Sequence, residues 1–433
     1  MTDLPLRVLR SLGVDNMIHR ILLAIIVSVA ILLDVNLADG AADDRLSLRD
    51  AIRLTLDNNP QFRTYQLRSD ALSGELQTAG LKPVIRVSSE VENVIGTGDL
   101  SWFQGTELTL ALSQVVELGG KRAARTNLVN QRQNLLRAEQ QVLELDLLSA
   151  ATTRYIELTA AEQRLNLLVR STELAREIHA AVSVRVDAGR APEAERARAA
   201  AALSLSQLAE QSANYSIAAA RLRLSSLWGE LQPVFAETGA NLLEVDAATP
   251  IQSLLDQLES NPAIEVFASE TRLREAELRE VMSRRSGDIE VGAGIRHLAE
   301  LNDTALIFRA SMPLKNKRRA GGAITTAQAK LLAVETERDT ALLRMRAQLL
   351  VLDQQRRLAL NEVSVIQSDV LPQLVSALNE TRDAFDNGRF SYIELNTAQK
   401  ELLDTEFALI EAAARAHLFR VEIERLSGET LVP

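Results

Sequence analysis

The chain has 433 residues, 46% of them hydrophobic, 24% charged and 3% aromatic, with no cysteine and a formal net charge of −10. This is a globular composition, long enough for two or three domains or one duplicated unit, and its small and aliphatic side chains favour close-packed helices. It excludes disulfides, thiolate metal sites and a lipidated N-terminal cysteine, and the acidic balance, with no basic block interleaved with aromatics, speaks against nucleic acid.

The chain opens with Arg7, Arg10 and Arg20, then the uncharged run ILLAIIVSVAILL at 21–33, then the small-residue stretch from Ala38 to Ala42. A spanning helix needs about 20 apolar residues, so the run reads as the apolar region of a signal peptide, assigned to residues 1–40. An uncleaved signal anchor is the alternative, and Met17 offers a second start that leaves a compact positive leader. Either way the mature chain is exported.

Three landmarks recur in the same order about 200 residues apart, an ordinary domain size. Asn59-Pro60 recurs as Asn261-Pro262, Lys121-Arg122 as Lys317-Arg318, and Asp187-Ala188-Gly189-Arg190 as Asp386-Asn387-Gly388-Arg389. The chain therefore reads as two repeats, 46–248 and 249–428. Each opens with a helix, over 47–81 with Ser47 and Asp50 at its start and over 250–285 in the second. Period-two alternation follows, predicting strands at about 84–94 and 105–117, then at about 288–298 and 304–313. In TELTLALSQ, Leu108, Leu110 and Leu112 share one face and Glu107, Thr109 and Ser113 the other. Four strands cannot close a barrel alone, and their free edges need further copies as partners.

After each strand pair comes a long stretch almost free of proline and glycine, predicting helices at about 121–186 and 319–386. The first would be close to 95 Å long at 1.5 Å per residue. Leu148, Ala151, Tyr155, Leu158, Glu162, Leu165 and Val169 follow three-four spacing, as do Leu342, Met345, Leu349, Leu352, Arg356, Ala359 and Val363. These are coiled-coil seams, with the two charged members expected at solvated or inter-seam positions. Each rod ends at its Asp-x-Gly-Arg landmark, where glycine suits a left-handed helix end. Return helices are predicted at about 191–229, with Pro192 near its start, and 391–427, with Ser391 as N-cap.

The stretch VVELGGKR at 115–122 superficially suggests a phosphate-binding loop. The position five before Gly120 is Val115, and Lys121 is followed by Arg122 rather than a hydroxyl residue, so both anchor points fail. Gly119, Gly120, Lys121 and Arg122 instead read as the joint where a strand becomes a helix, with Pro313 near the corresponding joint of the second repeat. No catalytic motif is present. Three histidines beyond the leader, His179, His297 and His417, stand far apart without ligand spacing, and with five Met and no Cys the chain offers no soft-metal site.

On the ordered repeat, on LSQVVELGGKR and on the segments RVDAGRAPEAERARA and AFDNGRFSYIELNTA, the sequence from about Leu46 to Gly428 resembles the outer membrane factor family. These are the TolC-like exit ducts, and Gly-Gly-Lys-Arg after a strand resembles their CzcC-type branch, which serves heavy-metal-cation efflux. The resemblance implies a mainly α fold with a membrane β-barrel contribution. In it a homotrimer forms a twelve-stranded barrel, four strands per chain, continuous with a periplasmic α-helical barrel. It implies an outer-membrane location, no cofactor and no enzymatic activity. The duct would conduct substrate passively from an inner-membrane resistance-nodulation-division pump through a periplasmic adaptor, a membrane fusion protein. A duct for drugs or secreted proteins is the alternative, and an adaptor with one helical hairpin is a weaker one. Leu108, Leu110 and Leu112 would face outer-membrane lipid, with Trp102 and Phe103 at the membrane interface. The tips that form the gate and meet the adaptor would comprise Arg185, Gly189, Arg190 and Pro192, and Asn387, Gly388, Arg389, Phe390 and Ser391. Arg190, Arg389 and Pro192 depart from the usual tip pattern of an aliphatic residue and a serine.

Overall fold

The computed structural model describes residues 45–94, 98, 105–314 and 316–428. The expected leader at 1–40 and Trp102 and Phe103 lie outside the described residues. No helix among the described residues is long and apolar enough to cross a membrane. The chain falls into two compact units. In the smaller, Arg45 and Leu46 lie with Phe235–Glu237, and Arg45 Nε donates to Glu237 Oε1 at 2.7 Å.

The larger unit contains both sequence repeats. In the first are α1 (Leu48–Asn58), α2 (Pro60–Gly80), β1 (Ile85–Glu92), β2 (Glu107–Val116), α3 (Lys121–Asp187) and α4 (Glu193–Ser225). The second holds α5 (Ile251–Gln257), α6 (Pro262–Ser283), β3 (Ile289–Leu298), β4 (Asp303–Ser311), α7 (Asn316–Val365), α8 (Leu371–Asp386) and α9 (Tyr392–Ser427).

The opening helix of each repeat is divided where one helix was expected, because the Asn-Pro pairs force a break. Proline disfavours helical geometry in the residue before it, and Asn59 and Asn261 are both extended, at φ/ψ of −65°/125° and −66°/133°. Each asparagine then caps the next helix, accepting from Gln61 N at 2.9 Å and Ala263 N at 2.7 Å. Each also reaches the far end of its own repeat: Asn59 Nδ2 donates to Leu227 O at 2.8 Å, and Asn261 Nδ2 to Leu426 O at 2.9 Å. The recurring dipeptide is thus the same structural clasp used twice.

The two rods differ. The first, α3, runs unbroken for 67 residues, about 100 Å. The second is interrupted by a π-helical segment, Ile366–Val370, between α7 and α8. Pro372 is the cause: it lacks an amide donor and its ring crowds the preceding turn, so the chain widens there.

The strands form one antiparallel sheet in the order β1-β2-β3-β4, with Glu90, Thr109, Arg296 and Ala305 abreast across it. Below the sheet α2, α3, α6 and α7 lie side by side in that order; towards the other end the order is α4, α3, α9 and α8. A first-repeat rod thus packs on second-repeat helices. Ile156, Ala160 and Leu167 of α3 share one core with Val363 of α7 and with Leu409, Ala412 and Ala413 of α9.

The seams follow the expected spacing only part of the way. Ala151, Tyr155 and Leu158 are buried, but Val169 is 46% exposed and Leu167 takes its place in the core. A straight helix turns every 3.6 residues, so a 3.5-residue stripe drifts away from its partner. The expectation that Glu162 and Arg356 sit at solvated or inter-seam positions needs correction: Arg356 is 5% exposed and the Glu162 side chain 13%. Both hold the segment that links the repeats.

Candidate functional site

Three regions carry the expected site residues: the sheet, the junction beneath it and the paired hairpin tips. A fourth, midway along the helices, was missed.

Strand parity separates the sheet into two chemically different faces. On one lie Val87, Val91, Leu108, Leu110, Leu112, Val291, Ile295, Leu306 and Phe308, all exposed in the single chain, Leu110 at 45% and Phe308 at 80%. The other face is polar and tied together. Arg296 of β3 donates to Glu107 Oε2 at 2.7 Å and Thr109 Oγ1 at 3.0 Å on β2, and pairs with Glu92 of β1 at 3.0 Å. Ser113 Oγ donates to Glu290 at 3.0 Å, and Arg309 pairs with Glu90 at 3.2 Å. This face is crowded at its centre. A Cβ on Gly294 would stand 2.4 Å from Leu110 O, and one on Gly292 would stand 3.0 Å from Leu112 O. Side-chain volume is thus missing from the polar face where β2 and β3 approach most closely, which lets the sheet curl towards it. Sequence parity separates the faces, whereas the three-strand role of Arg296 depends on register.

At the junction, Gly119 and Gly120 both have left-handed backbone, at φ +74° and +71°, and α3 starts at Lys121. Gly119 is doubly constrained, since a Cβ there would also lie 2.8 Å from Ser286 Oγ and 2.9 Å from Ser283 O. The joint is seated on the connection from α6 to β3. Asp288 Oδ1 accepts from Leu118 N at 3.1 Å and Lys121 Nζ at 2.6 Å. Arg125 Nη2 donates to Glu117 Oε2 at 3.1 Å. Arg122 is exposed, as is Pro313, which precedes α7. Asp288 escaped notice because its partner is 167 positions away in sequence.

At the tips the two rods end identically. Gly189 and Gly388 adopt φ +68° and +74°, and the amide pairs Gly189/Arg190 and Gly388/Arg389 close the helix ends at 2.8–2.9 Å on Val186/Arg185 and Phe385/Ala384. Ser391 and Glu394 form a capping box at the start of α9, and Pro192 is the N-cap of α4. Asn387 Nδ2 donates to Asp383 O at 2.7 Å. Arg190, Arg389 and Phe390 are exposed. Arg185 turns inward instead. Its Nη1 donates to Phe385 O at 2.9 Å, and its guanidinium lies 4.3 Å from the centre of the Phe385 ring. Phe385 is buried with Ile178, Val182, Tyr392 and Leu395, so the two tips form one packed body.

Midway along the helices, the segment from Thr238 to Ala247 is fastened by side chains of three helices. Thr238 N donates to Glu162 Oε2 at 3.0 Å, and Arg356 Nη2 donates to Asp246 O at 3.2 Å. His417 Nε2 lies 3.0 Å from Leu242 O and is the donor, because a carbonyl can only accept. Burial pushes the imidazole below its usual value, with Arg420 and Arg356 adding to the depression and the Leu242 carbonyl and Asp246 opposing it. The unfolded chain therefore binds more protons than the folded one between the depressed value and about 6.5. Stability should fall as pH drops through that window, and the melting midpoint of His417→Gln should lose less between pH 7.5 and 5.5 than that of the wild type. Equal losses would contradict the assignment.

Residues 51–230 match the family model described as outer membrane efflux protein. Over that stretch the chain is similar to that family. The cobalt-zinc-cadmium resistance protein CzcC of Cupriavidus metallidurans is 24% identical, over 88% of this chain and 90% of that one. The nickel-cobalt-cadmium resistance protein NccC of Alcaligenes xylosoxydans xylosoxydans is 25% identical over 54% of each chain. Among solved structures, a membrane protein from Pseudomonas aeruginosa has a TM-score of 0.74 at 15% identity, over 88% of this chain and 92% of that one. CusC has a TM-score of 0.72 at 15% identity, over 91% and 95%, and VceC of Vibrio cholerae 0.71 at 16%, over 89% and 97%. The chain shares the fold of these solved structures.

Proposed function

We propose that three copies close into one duct and that it passively conducts heavy-metal cations out of the cell. The observation that carries this reading is that sheet and helix layer are both open along the same two edges. β1 and β4 are the unpaired sheet edges, α2 and α4 border one side of the helices, and α7 and α8 border the other. Both borders carry exposed apolar stripes, with Leu205, Leu208, Tyr215 and Leu222 on α4 and Leu343, Leu350, Leu358 and Val365 on α7. Joining one border to the other, head to tail, closes a ring and removes every sheet edge, as lipid requires. In that ring the apolar sheet face, with Leu108, Leu110 and Leu112, meets lipid, and the Arg296 face lines the lumen.

Cation transport is supported by the similarity to CzcC and NccC, whose names state metal resistance. Transport energy then comes from an inner-membrane resistance-nodulation-division pump, and a periplasmic adaptor docks on the hairpin tips around Gly189, Arg190 and Pro192 and around Asn387 to Ser391. Arg190 and Arg389 give that surface exposed positive charge, and Arg185 keeps the two tips together as a single docking body. Among the described residues no group of three or more His, Cys, Asp or Glu could hold a metal ion, so the duct is read as a passage.

Deleting the gene and complementing it, scored against zinc, cobalt, cadmium, nickel, copper and a drug panel, tests the substrate. Lost tolerance to at least one divalent metal, restored by complementation, is expected. Unchanged metal tolerance with lost drug tolerance would replace the cation reading with the drug duct.

A further inference from the structure

The two ends of the sheet carry opposite charge. At the end where β3 turns into β4 and β1 stops lie Glu92, Glu107, Glu300 and Asp303. At the other end, every strand-to-helix connection carries an exposed cation. Lys82 precedes β1, Arg122 opens α3, Arg285 follows α6, and Arg318 and Arg319 lie in the first turn of α7. None of these five is paired with a carboxylate among the described residues. Of the acids at this level, Glu117, Glu280 and Asp288 are already engaged by Arg125, Arg284 and Lys121, and Glu290 accepts from Ser113 Oγ. The cations alternate with exposed apolar side chains: Leu81, Met282, Met312 and Leu314, the last at 81% exposure. In a chain of net charge −10 this is a local reversal of sign, placed where the apolar sheet face ends.

We propose that this belt binds the headgroups of anionic phospholipids in the periplasm-facing leaflet of the outer membrane. Apolar side chains enter the acyl region while the long basic side chains reach the phosphates beside them, and this anchors the depth of the sheet. A lumen-facing role would place positive charge across the path of a cation. The proposal rests on the outer-membrane reading and, for the outward direction of the belt, on a cationic cargo of any kind.

The test uses the full-length protein reconstituted in phosphatidylcholine vesicles containing a minor fraction of phosphatidylglycerol, with spin-labelled lipids reporting association at the protein surface. Each cation near an anionic surface contributes roughly a fivefold preference before screening by salt. Wild type should favour phosphatidylglycerol over phosphatidylcholine by about threefold or more. The variant K82Q/R122Q/R285Q/R318Q/R319Q should fall to near unity. Exchanging the same five positions between Lys and Arg should keep the preference and guards against misfolding. So should R63Q/R198Q/K330Q/R344Q, which removes exposed cations about 20 Å or more along the helices from the strand ends. Equal association of both lipids with wild type, or an unchanged preference in the neutralised variant, would overturn the proposal. A preference abolished by inorganic phosphate but not by chloride of matched ionic strength would overturn it too, by pointing to a free-anion site. Failure to insert into neutral vesicles at all would instead count against the membrane reading itself.

Discussion

Replacing Leu110 with lysine should remove the protein from the outer-membrane fraction, whereas Ser88→Lys, on the opposite face of the same sheet, should leave it there. Leu110 is on the apolar face near the middle of β2 and is exposed in the single chain. Ser88 lies one residue further along the pairing, opposite Ala111, among polar neighbours. A lysine on a lipid-facing strand position costs about 2–4 kcal/mol at the bilayer midplane, and on a water-filled side it costs little. In the proposed ring of three copies the penalty is multiplied, so the effect should be close to complete. Immunoblots of fractionated membranes check it. Equal amounts of both variants in the outer membrane would contradict the assignment of the faces, and loss of Ser88→Lys alone would show them reversed.

Gly294→Val should unfold or disassemble the sheet, while Ala293→Val, its neighbour on the other face, should be near neutral. The added Cβ at 294 would meet Leu110 O at 2.4 Å and Ala111 Cβ at 2.8 Å, both on β2, which is paired with β3 and cannot move away without breaking the ladder. Overpacking of this kind costs about 3 kcal/mol or more when the obstruction is backbone. Ala293 is exposed among Leu112 and Phe308, where extra apolar volume finds room. The melting temperature of the assembled form, read from heat-modifiable gel migration, should drop sharply for Gly294→Val and barely move for Ala293→Val. A Gly294→Val protein as heat-resistant as wild type would refute the close-approach argument.

Local chemistry made the element order readable from the sequence. The strands stood out because TELTLALSQ alternates with period two, and the rods because proline and glycine are almost absent from them. Where the reading failed, competing local effects explain it. Asn59 and Asn261 look like helix starts in sequence, yet the proline after each also ends the preceding helix, so one expected element became two in each repeat. Val169 fits a heptad count but not a straight helix. Pro372 sits inside a stretch that is otherwise helical, and its effect was to widen the helix rather than end it. What could not be read was long-range. Glu162 and Arg356 appear as interruptions of apolar stripes and His417 as an isolated histidine, and only the path of the linker between the repeats shows that each holds a backbone group of that linker. Arg296 and Asp288 likewise acquire their roles from partners more than 150 positions away.

Both repeats use the same clasp and the same tip, yet only the second rod carries a π segment. Its hairpin, α8 with α9, therefore hangs from a widened turn, while the first hairpin hangs from an unbroken helix. The Arg185 contact with Phe385 joins the two hairpins at their ends.

The claim on which the rest depends is that the sheet and the helix layer are completed only by further copies of the same chain. Native mass spectrometry of protein extracted from the outer membrane measures this directly. The account predicts a single assembly of three mature chains that dissociates on heating in detergent. A monomer stable at the same detergent concentration would contradict it.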